Sequence, residues 1–447
     1  MGLFDRLRGD GSPRVAFVGI DGVPYSLLAS NPEEFPTFAA LAAEGSAGEI
    51  SSIVPPESSA CWPALTTGMN PGETGVYGFQ DRETGTYDTY VPMGREVQAE
   101  RVWDRVAAAG RKATVMNVPV TFPPQRDVQR MVSGFLSPGL EKAALPETFR
   151  DELESMGYRI DVDPKLGHEE DKTAFLEDAH EVIDARFEAF SRYVEGDDWD
   201  LFFGVFMTTD RVNHFLFRDY EHDGKYREEF LEFYRKLDSY VGRLWEALPE
   251  EVTLIVASDH GFTTLEYEVH CNAWLREEGW LSFGTDGPAE LNDIADDTRA
   301  YSFIPGRFYL NLEGREPRGA VPESEYDEVR DELKSQLLAL EDPDGERVID
   351  RVVEKETAFR GDHDEIAPDL VAIPRKGYDL KAGFSGGDRV FDTGPRNGMH
   401  SFDDAALFVD EPSATIEDVD LYDIAPTILE LIDVEFSRGE FDGASLV

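Results

Sequence analysis

Five short stretches of the chain are apolar at nearly every position: residues 14–20 (RVAFVGI), 112–118 (KATVMNV), 200–207 (DLFFGVFM), 252–258 (VTLIVAS) and 405–409 (AALFV). Such runs, rich in β-branched and aromatic residues, fit strands buried on both faces. Between them the period becomes helical. Residues 102–109, 174–194 and 226–248 carry apolar positions three and four apart, as with Phe175, Val182, Phe187 and Phe190. Residues 38–44 and 422–432 read as further helices, 48–54 as another strand, and 146–166 as irregular and polar. Strands alternating with helices predict an α/β fold, a mostly parallel sheet sandwiched by helices. The alternation breaks over residues 268–383, where a polar helix near 323–340 and a short strand at 369–373 stand out. The expected organisation is a lead-in over 1–13, an α/β core over 14–267 and 384–447, and an inserted cap subdomain over 268–383.

The 447 residues suffice for a large core and more than one lobe. Charge changes the picture. The chain has 91 Asp and Glu against 42 Lys and Arg, only 10 of them Lys, for a formal net charge of −49. A surface this acidic and poor in lysine resembles that of salt-adapted, haloarchaeal-type proteins. In molar salt the Debye length falls to about 3 Å, and self-repulsion is screened. The same charge argues against a nucleic-acid-binding surface, which needs a basic footprint. Two cysteines, Cys61 and Cys271, rule out a disulfide framework and fit a reducing, cytoplasmic setting. No run approaches the roughly 18 apolar residues of a membrane span. Residues 1–13 have no secretory apolar region and read as an amphipathic lead-in.

The candidate chemistry gathers where the apolar runs end. Residues 55–75, PPESSACWPALTTGMNPGETG, place Ser58 and Ser59 after a Pro-Pro turn and before a short predicted helix. Free N–H groups at a helix start point back at those hydroxyls, which suits a bound phosphoryl group. Serine there is also ordinary capping chemistry. Asp21 follows the first run, Asp210 and His214 the third, and Asp259 and His260 the fourth, while His400 lies just beyond a Gly- and Asp-rich loop. Ligands of open parallel sheets collect at the carboxyl edge of the strands. Three carboxylates, three imidazoles and a hydroxyl are enough for two divalent ions, with mixed O and N donors suiting zinc, and manganese the alternative. Two such ions about 4 Å apart clamp a phosphate, one activating the serine and the other stabilising the leaving oxygen. His168, His180, His222 and His363 lie in polar stretches and read as surface residues.

Together these motifs resemble the alkaline phosphatase superfamily, and within it the type I phosphodiesterase/nucleotide pyrophosphatase branch. The resembling motifs are Asp21-Gly22, the Asp-x-x-x-His of Asp210 and His214, Ser258-Asp259-His260-Gly261 and the late His400. In that branch the nucleophile precedes the Gly of a Thr-Gly pair by ten residues, which with Thr67-Gly68 selects Ser58 over Ser59. The resemblance implies an alkaline-phosphatase-like fold, one ion on Asp210, His214 and His400, and the other on Asp21, Ser58, Asp259 and His260. NVPVTFPP, NAWLREEGWL, APDLVAIP and DIAPTILELI extend the likeness over nearly the whole chain. Two places depart from the pattern. Glu73-Thr74-Gly75 lacks the His that the family often has there. Where nucleotide pyrophosphatases place an Asn for a phosphoryl oxygen, this chain has Phe79 and Gln80. Gln80 is the expected substitute, and Asn117 and Arg396 are further substrate-contact candidates, with Arg211 behind them. Cys61-Trp62-Pro63 resembles the sulfatase motif only superficially, because no Arg follows at the required place; Cys61 reads as a packing residue. The implied activity is two-metal hydrolysis of a small-molecule phosphodiester or nucleotide-type pyrophosphate through a phosphoseryl intermediate on Ser58, with the cap choosing the substrate. The alternatives are transfer of a phosphoryl or phospho-alcohol group in lipid or glycan metabolism, and phosphomonoester hydrolysis.

Overall fold

Each of the five apolar runs is a strand of one eight-stranded sheet. The computed structural model describes residues 12–447 apart from 197, 286–289, 385, 386 and 388, so most of the expected lead-in lies outside the described residues. In chain order the strands are β1 (Arg14–Ile20), β2 (Ser46–Ile50), a ribbon of β3 (Asp81–Arg82) and β4 (Thr89–Tyr90), β5 (Ala113–Val118), β6 (Arg130–Ser133), β7 (Ala144–Leu145), β8 (Leu201–Phe206), β9 (Val252–Ala257) and β10 (Gly261–His270). Next come β11 (Ala300–Ser302), β12 (Arg307–Leu310), β13 (Ile349–Glu354) and β14 (Leu370–Pro374). The chain returns through β15 (Gly377–Lys381), β16 (Phe391–Asp392), β17 (Gly398–Ser401) and β18 (Ala405–Val409).

The large sheet runs in the order β2-β18-β9-β1-β8-β5-β6-β7. Strands β9, β1, β8, β5 and β6 are parallel neighbours, while β18 and β7 run antiparallel to theirs. Both faces are covered. Val15 and Phe17 of β1 pack beside Trp62, Phe203 and Ile428. Ala16, Val18 and Ile20 pack on the opposite face beside Phe175, Phe202 and Leu237. Every position of such a strand meets a core, which is why the runs are apolar throughout rather than alternating. Helices Thr173–Val194 and Arg227–Ala247 cover one face, and Ser58–Thr67, Val102–Ala108 and Ile424–Leu431 the other. Burying one large apolar side chain of this kind contributes about 1.5–3 kcal/mol.

This topology sends the carboxyl ends of β1, β8 and β9 to one edge. Because β18 is antiparallel to β9, its beginning lies at that same edge, and β17 feeds into it. Strands β11 to β14 form a second, four-stranded sheet in the order β11-β12-β14-β13, with its own core around Trp274, Tyr301 and Leu333.

Two local expectations change. Residues 146–166 contain the helix Glu147–Ser155, which buries only Phe149 and Leu153, too few apolar positions to show a period. The strand expected over 48–54 ends at Ile50, leaving 51–57 as the link that delivers Ser58. His400 lies in β17, which begins directly after Asn397 and pairs antiparallel with β10. Among the described residues no helix is long and apolar enough to cross a membrane.

Candidate active site

Ser58 is the first residue of the helix Ser58–Thr67. The N–H groups of Ala60 and Cys61 already bond to the Glu57 carbonyl at 2.8 and 2.9 Å, so those of Ser58 and Ser59 stand at the open end. The helix stops at Gly68, whose φ of 68° is left-handed and where a Cβ would meet Phe441 Cδ1 at 2.8 Å. Trp62 lies one turn beyond Ser58. Its indole N–H donates to Asp21 Oδ2 at 2.6 Å, and Ser58 Oγ lies 3.3 Å from Asp21 Oδ1. One helix thus presents a hydroxyl and fixes the carboxylate beside it. The indole sits directly on Gly19, where a Cβ would come within 2.5 Å of Trp62 Cη2.

The six expected ligands converge around that hydroxyl. His260 Nε2 is 3.1 Å from Ser58 Oγ, 3.5 Å from Asp259 Oδ2 and 3.7 Å from Asp21 Oδ1. His400 Nε2 is 3.2 Å from Asp210 Oδ1 and 3.1 Å from His214 Nε2, which is itself 3.3 Å from Asp210 Oδ1. Asp210 and His214 share one helix face four residues apart, as their spacing predicts. Among the described residues, ligating atoms of Asp21, Asp259 and His260, and again of Asp210, His260 and His400, lie within 4.8 Å of one another. The two groups share His260 and form one continuous cluster.

The cluster is built to receive cations. Each of the three imidazoles turns Nδ1 to a backbone carbonyl: His260 to Gly261 at 3.0 Å, His400 to Pro56 at 3.0 Å and His214 to Gly398 at 3.2 Å. A proton on Nδ1 leaves the Nε2 lone pair facing the site, the arrangement of metal-ligating histidine. Asp259 Oδ1 accepts from the Gly22 N–H at 3.2 Å, but its Oδ2 is buried with no hydrogen-bond partner. Burial, with Asp259 and Asp210 beside it, pushes Asp21 well above the usual carboxylate range. Burial pushes Asp259 up to about 7. His260 falls below its ordinary value through burial and the neighbouring His400. His214 falls to about 4 through burial and Arg396. Burial opposes charge on Asp210 and His400 as well, yet His214, then His400 and Arg211, hold Asp210 low, and Asp210 holds His400 high. Like-charged carboxylates, an orphaned buried oxygen and three oriented imidazoles fit two divalent cations.

The other candidates divide. Arg396 lines the cavity, pairs with Asp379 at 3.2 Å and places Nη2 2.8 Å from His214 Nδ1. When His214 Nδ1–H donates to Gly398, that nitrogen has no lone pair for Arg396, which keeps its pair with Asp379. Arg211 also lines the cavity, donating to Asp210 at 3.2 Å and Asp161 at 2.8 Å with its guanidinium 4.6 Å from the Phe135 ring. Asn117 does not reach the site: it is fully buried in β5, its amide donating to Tyr158 and the Ile160 carbonyl and accepting from Arg186. Gln80 is exposed and is not part of the cavity wall. His168, expected at the surface, is exposed and lines the cavity. Sequence reasoning missed the role of Trp62, although its spacing of four from Ser58 was visible, and it missed Phe135. The rings of Phe79 and Phe135 stand 6.0 Å apart at the cavity wall. The cavity encloses about 980 Å³ between this cluster and the inserted sheet.

A mostly parallel sheet with this cluster at its carboxyl edge is an alkaline-phosphatase-like architecture, and solved structures share it. Phosphonoacetate hydrolase from Sinorhizobium meliloti 1021, in complex with phosphonoacetate, is 17% identical with a TM-score of 0.64, over 94% of this chain and 96% of that one. Human ectonucleotide pyrophosphatase/phosphodiesterase 5 is 13% identical with a TM-score of 0.57, over 96% and 97%. The murine protein is 14% identical with a TM-score of 0.54, over 94% and 95%. No curated protein sequence matches the chain. The family model described as type I phosphodiesterase / nucleotide pyrophosphatase matches residues 15–403, and the chain belongs to that family. It is an enzyme, a metal-dependent hydrolase acting on phosphoric ester bonds.

Proposed function

We propose that the protein hydrolyses a phosphodiester or nucleotide-type pyrophosphate through a covalent intermediate on Ser58. The observation that carries this reading is the position of the Ser58 hydroxyl, 3.1 Å from His260 Nε2 and 3.3 Å from Asp21 Oδ1 at the open end of its helix. Two divalent ions held by Asp210, His214 and His400 and by Asp21, Asp259 and His260 would supply the charge that acidifies the serine and stabilises the leaving oxygen. Ser58 Oγ attacks phosphorus in line with the leaving group. The free N–H groups of Ser58 and Ser59 face its non-bridging oxygens. The P–O bond to the leaving group breaks, and the new Ser58 ester keeps the other substituent of a diester. Water then attacks the same phosphorus, and Ser58 departs. Arg396 and Arg211 are the substrate-facing cations near the cluster, and the cap selects the substituent.

Zinc is the metal that the mixed carboxylate and imidazole set favours, with manganese second. Cys61 and Cys271 are buried free thiols, which fits the cytoplasm. The reading is tested in molar KCl with zinc and then manganese, by comparing kcat/KM for bis-p-nitrophenyl phosphate and p-nitrophenyl phosphate. The diester is expected to be preferred. A monoester preference would make the protein a phosphatase, and transfer to an added alcohol exceeding hydrolysis would make it a transferase.

A further inference from the structure

The cavity wall differs in charge from the rest of the molecule. Seven Lys and Arg and six Asp and Glu line it, whereas the whole chain has 42 and 91. Three of those acids are committed: Asp210 to the ligand cluster, Glu57 to Arg307 at 3.0 Å, and Asp379 to Lys381 at 2.7 Å and Arg396 at 3.2 Å. Four of the cations are not. Arg347, Arg351, Arg375 and Lys376 have no ion-pair partner among the described residues. Elsewhere in this acidic protein, arginines such as Arg150, Arg235 and Arg330 each hold two or more carboxylates.

The four cations come from one corner of the inserted sheet. Arg351 of β13 stands opposite Ile373 of β14. Arg375 and Lys376 form the turn from β14 into β15. That turn is held by the Arg375 N–H donating to the Val348 carbonyl at 2.8 Å and by Gly377 at a φ of 103°. The Arg351 guanidinium lies over the Phe402 ring at 4.9 Å, and Phe402 is two residues beyond His400. A guanidinium held against an aromatic face is pre-oriented, so less freedom is lost when it binds an anion. Glu346, Asp350 and Asp403 share the same wall, leaving a small positive excess that suits one compact anionic group. The cavity volume of about 980 Å³ is far larger than a phosphoryl group needs, which leaves room for a substrate that extends beyond the reacting phosphorus.

We propose that Arg347, Arg351, Arg375 and Lys376 form a second anion subsite, taking a phosphate or carboxylate that the substrate carries away from the ester bond being cut. The assignment rests on the phosphoester-hydrolase reading above. In molar salt the Debye length of about 3 Å removes distant steering, so these cations act by contact.

The test uses full-length Ser58→Ala protein with zinc in molar KCl. Calorimetry measures binding of p-nitrophenyl alkyl phosphodiesters whose alkyl chain, short or longer, ends in phosphate, carboxylate or hydroxyl. At the better length a charged end is expected to bind about tenfold or more tightly than hydroxyl, the two charged arms showing which anion is preferred. The advantage should disappear in R351Q/R375Q and shrink in R347Q/K376Q, with unchanged thermal unfolding showing that both fold. Equal binding of charged and neutral ends, no binding of any, or an advantage that survives R351Q/R375Q would overturn the subsite. Failure of the unsubstituted enzyme to hydrolyse these esters, with the binding difference intact, would count against the hydrolytic reading instead.

Discussion

Single side chains set both the chemistry and part of the stability. Trp62 holds one oxygen of Asp21 at 2.6 Å, so the other oxygen faces Ser58 and the ligand cluster. Partners of this kind typically tune metal affinity by about 10–100-fold. Trp62→Phe should therefore weaken zinc binding by about that factor in a metal titration, with much of the lost turnover recovered at saturating zinc. Asp81 plays a structural part, accepting from the Tyr77 N–H at 3.1 Å. Burial pushes its carboxyl up to about 8. The folded protein thus keeps a proton that the unfolded chain gives up near the ordinary carboxylate value. Folding stability from this group falls as pH rises from about 4 toward 8. Asp81→Asn lacks that loss. Its unfolding temperature relative to the parent should rise between mildly acidic and alkaline pH, and a constant difference across that range would contradict the assignment.

At the scale of elements, the site depends on how closely the helix of Ser58 seats on the sheet. Gly19 of β1 allows this, since a Cβ there would meet Trp62 Cη2 at 2.5 Å and Val205 Cγ2 at 2.9 Å. Gly19→Ala should cost about 1–3 kcal/mol of stability by overpacking, read as a lowered unfolding temperature, and should weaken zinc binding because Trp62 is displaced from Asp21. The parallel strands were legible in the sequence because a strand buried on both faces leaves an unbroken apolar run. Asp21, Asp210, His214, Asp259 and His260, the candidate ligands, stood out because each follows such a run at the edge where α/β sheets bind, whereas His400 precedes the last run. The pairing of β10 with β17 was not, since GFTTLEYEVH and GMHS mix polar and apolar residues without a clear period, and only the tertiary fold brings them together. Asn117 was misplaced for a related reason. It sits at the end of an apolar run, as the ligands do, but at φ 65° its side chain meets Tyr158 inside the core rather than the cavity. The placing of Arg351 and Arg375 on one cavity wall was invisible as well, because it depends on the register of β13 against β14.

The whole molecule carries a net charge of −49, and its stability should depend on screening. Raising KCl from the low, roughly 0.1 M range to molar concentrations shortens the Debye length from about 10 Å to about 3 Å. The unfolding temperature should rise over that interval, and a flat or falling profile would remove the case for salt adaptation. Against that acidic background, one cavity gathers the cations, the ligand cluster and the Ser58 hydroxyl. The measurement that bears most directly on its chemistry compares Ser58→Ala with Ser59→Ala, both loaded with zinc and checked for equal metal content. Ser58→Ala should lose turnover of bis-p-nitrophenyl phosphate by on the order of 10³-fold or more, while Ser59→Ala stays close to the parent. Retained turnover in Ser58→Ala together with its loss in Ser59→Ala would show that the hydroxyl beside His260 is not the nucleophile.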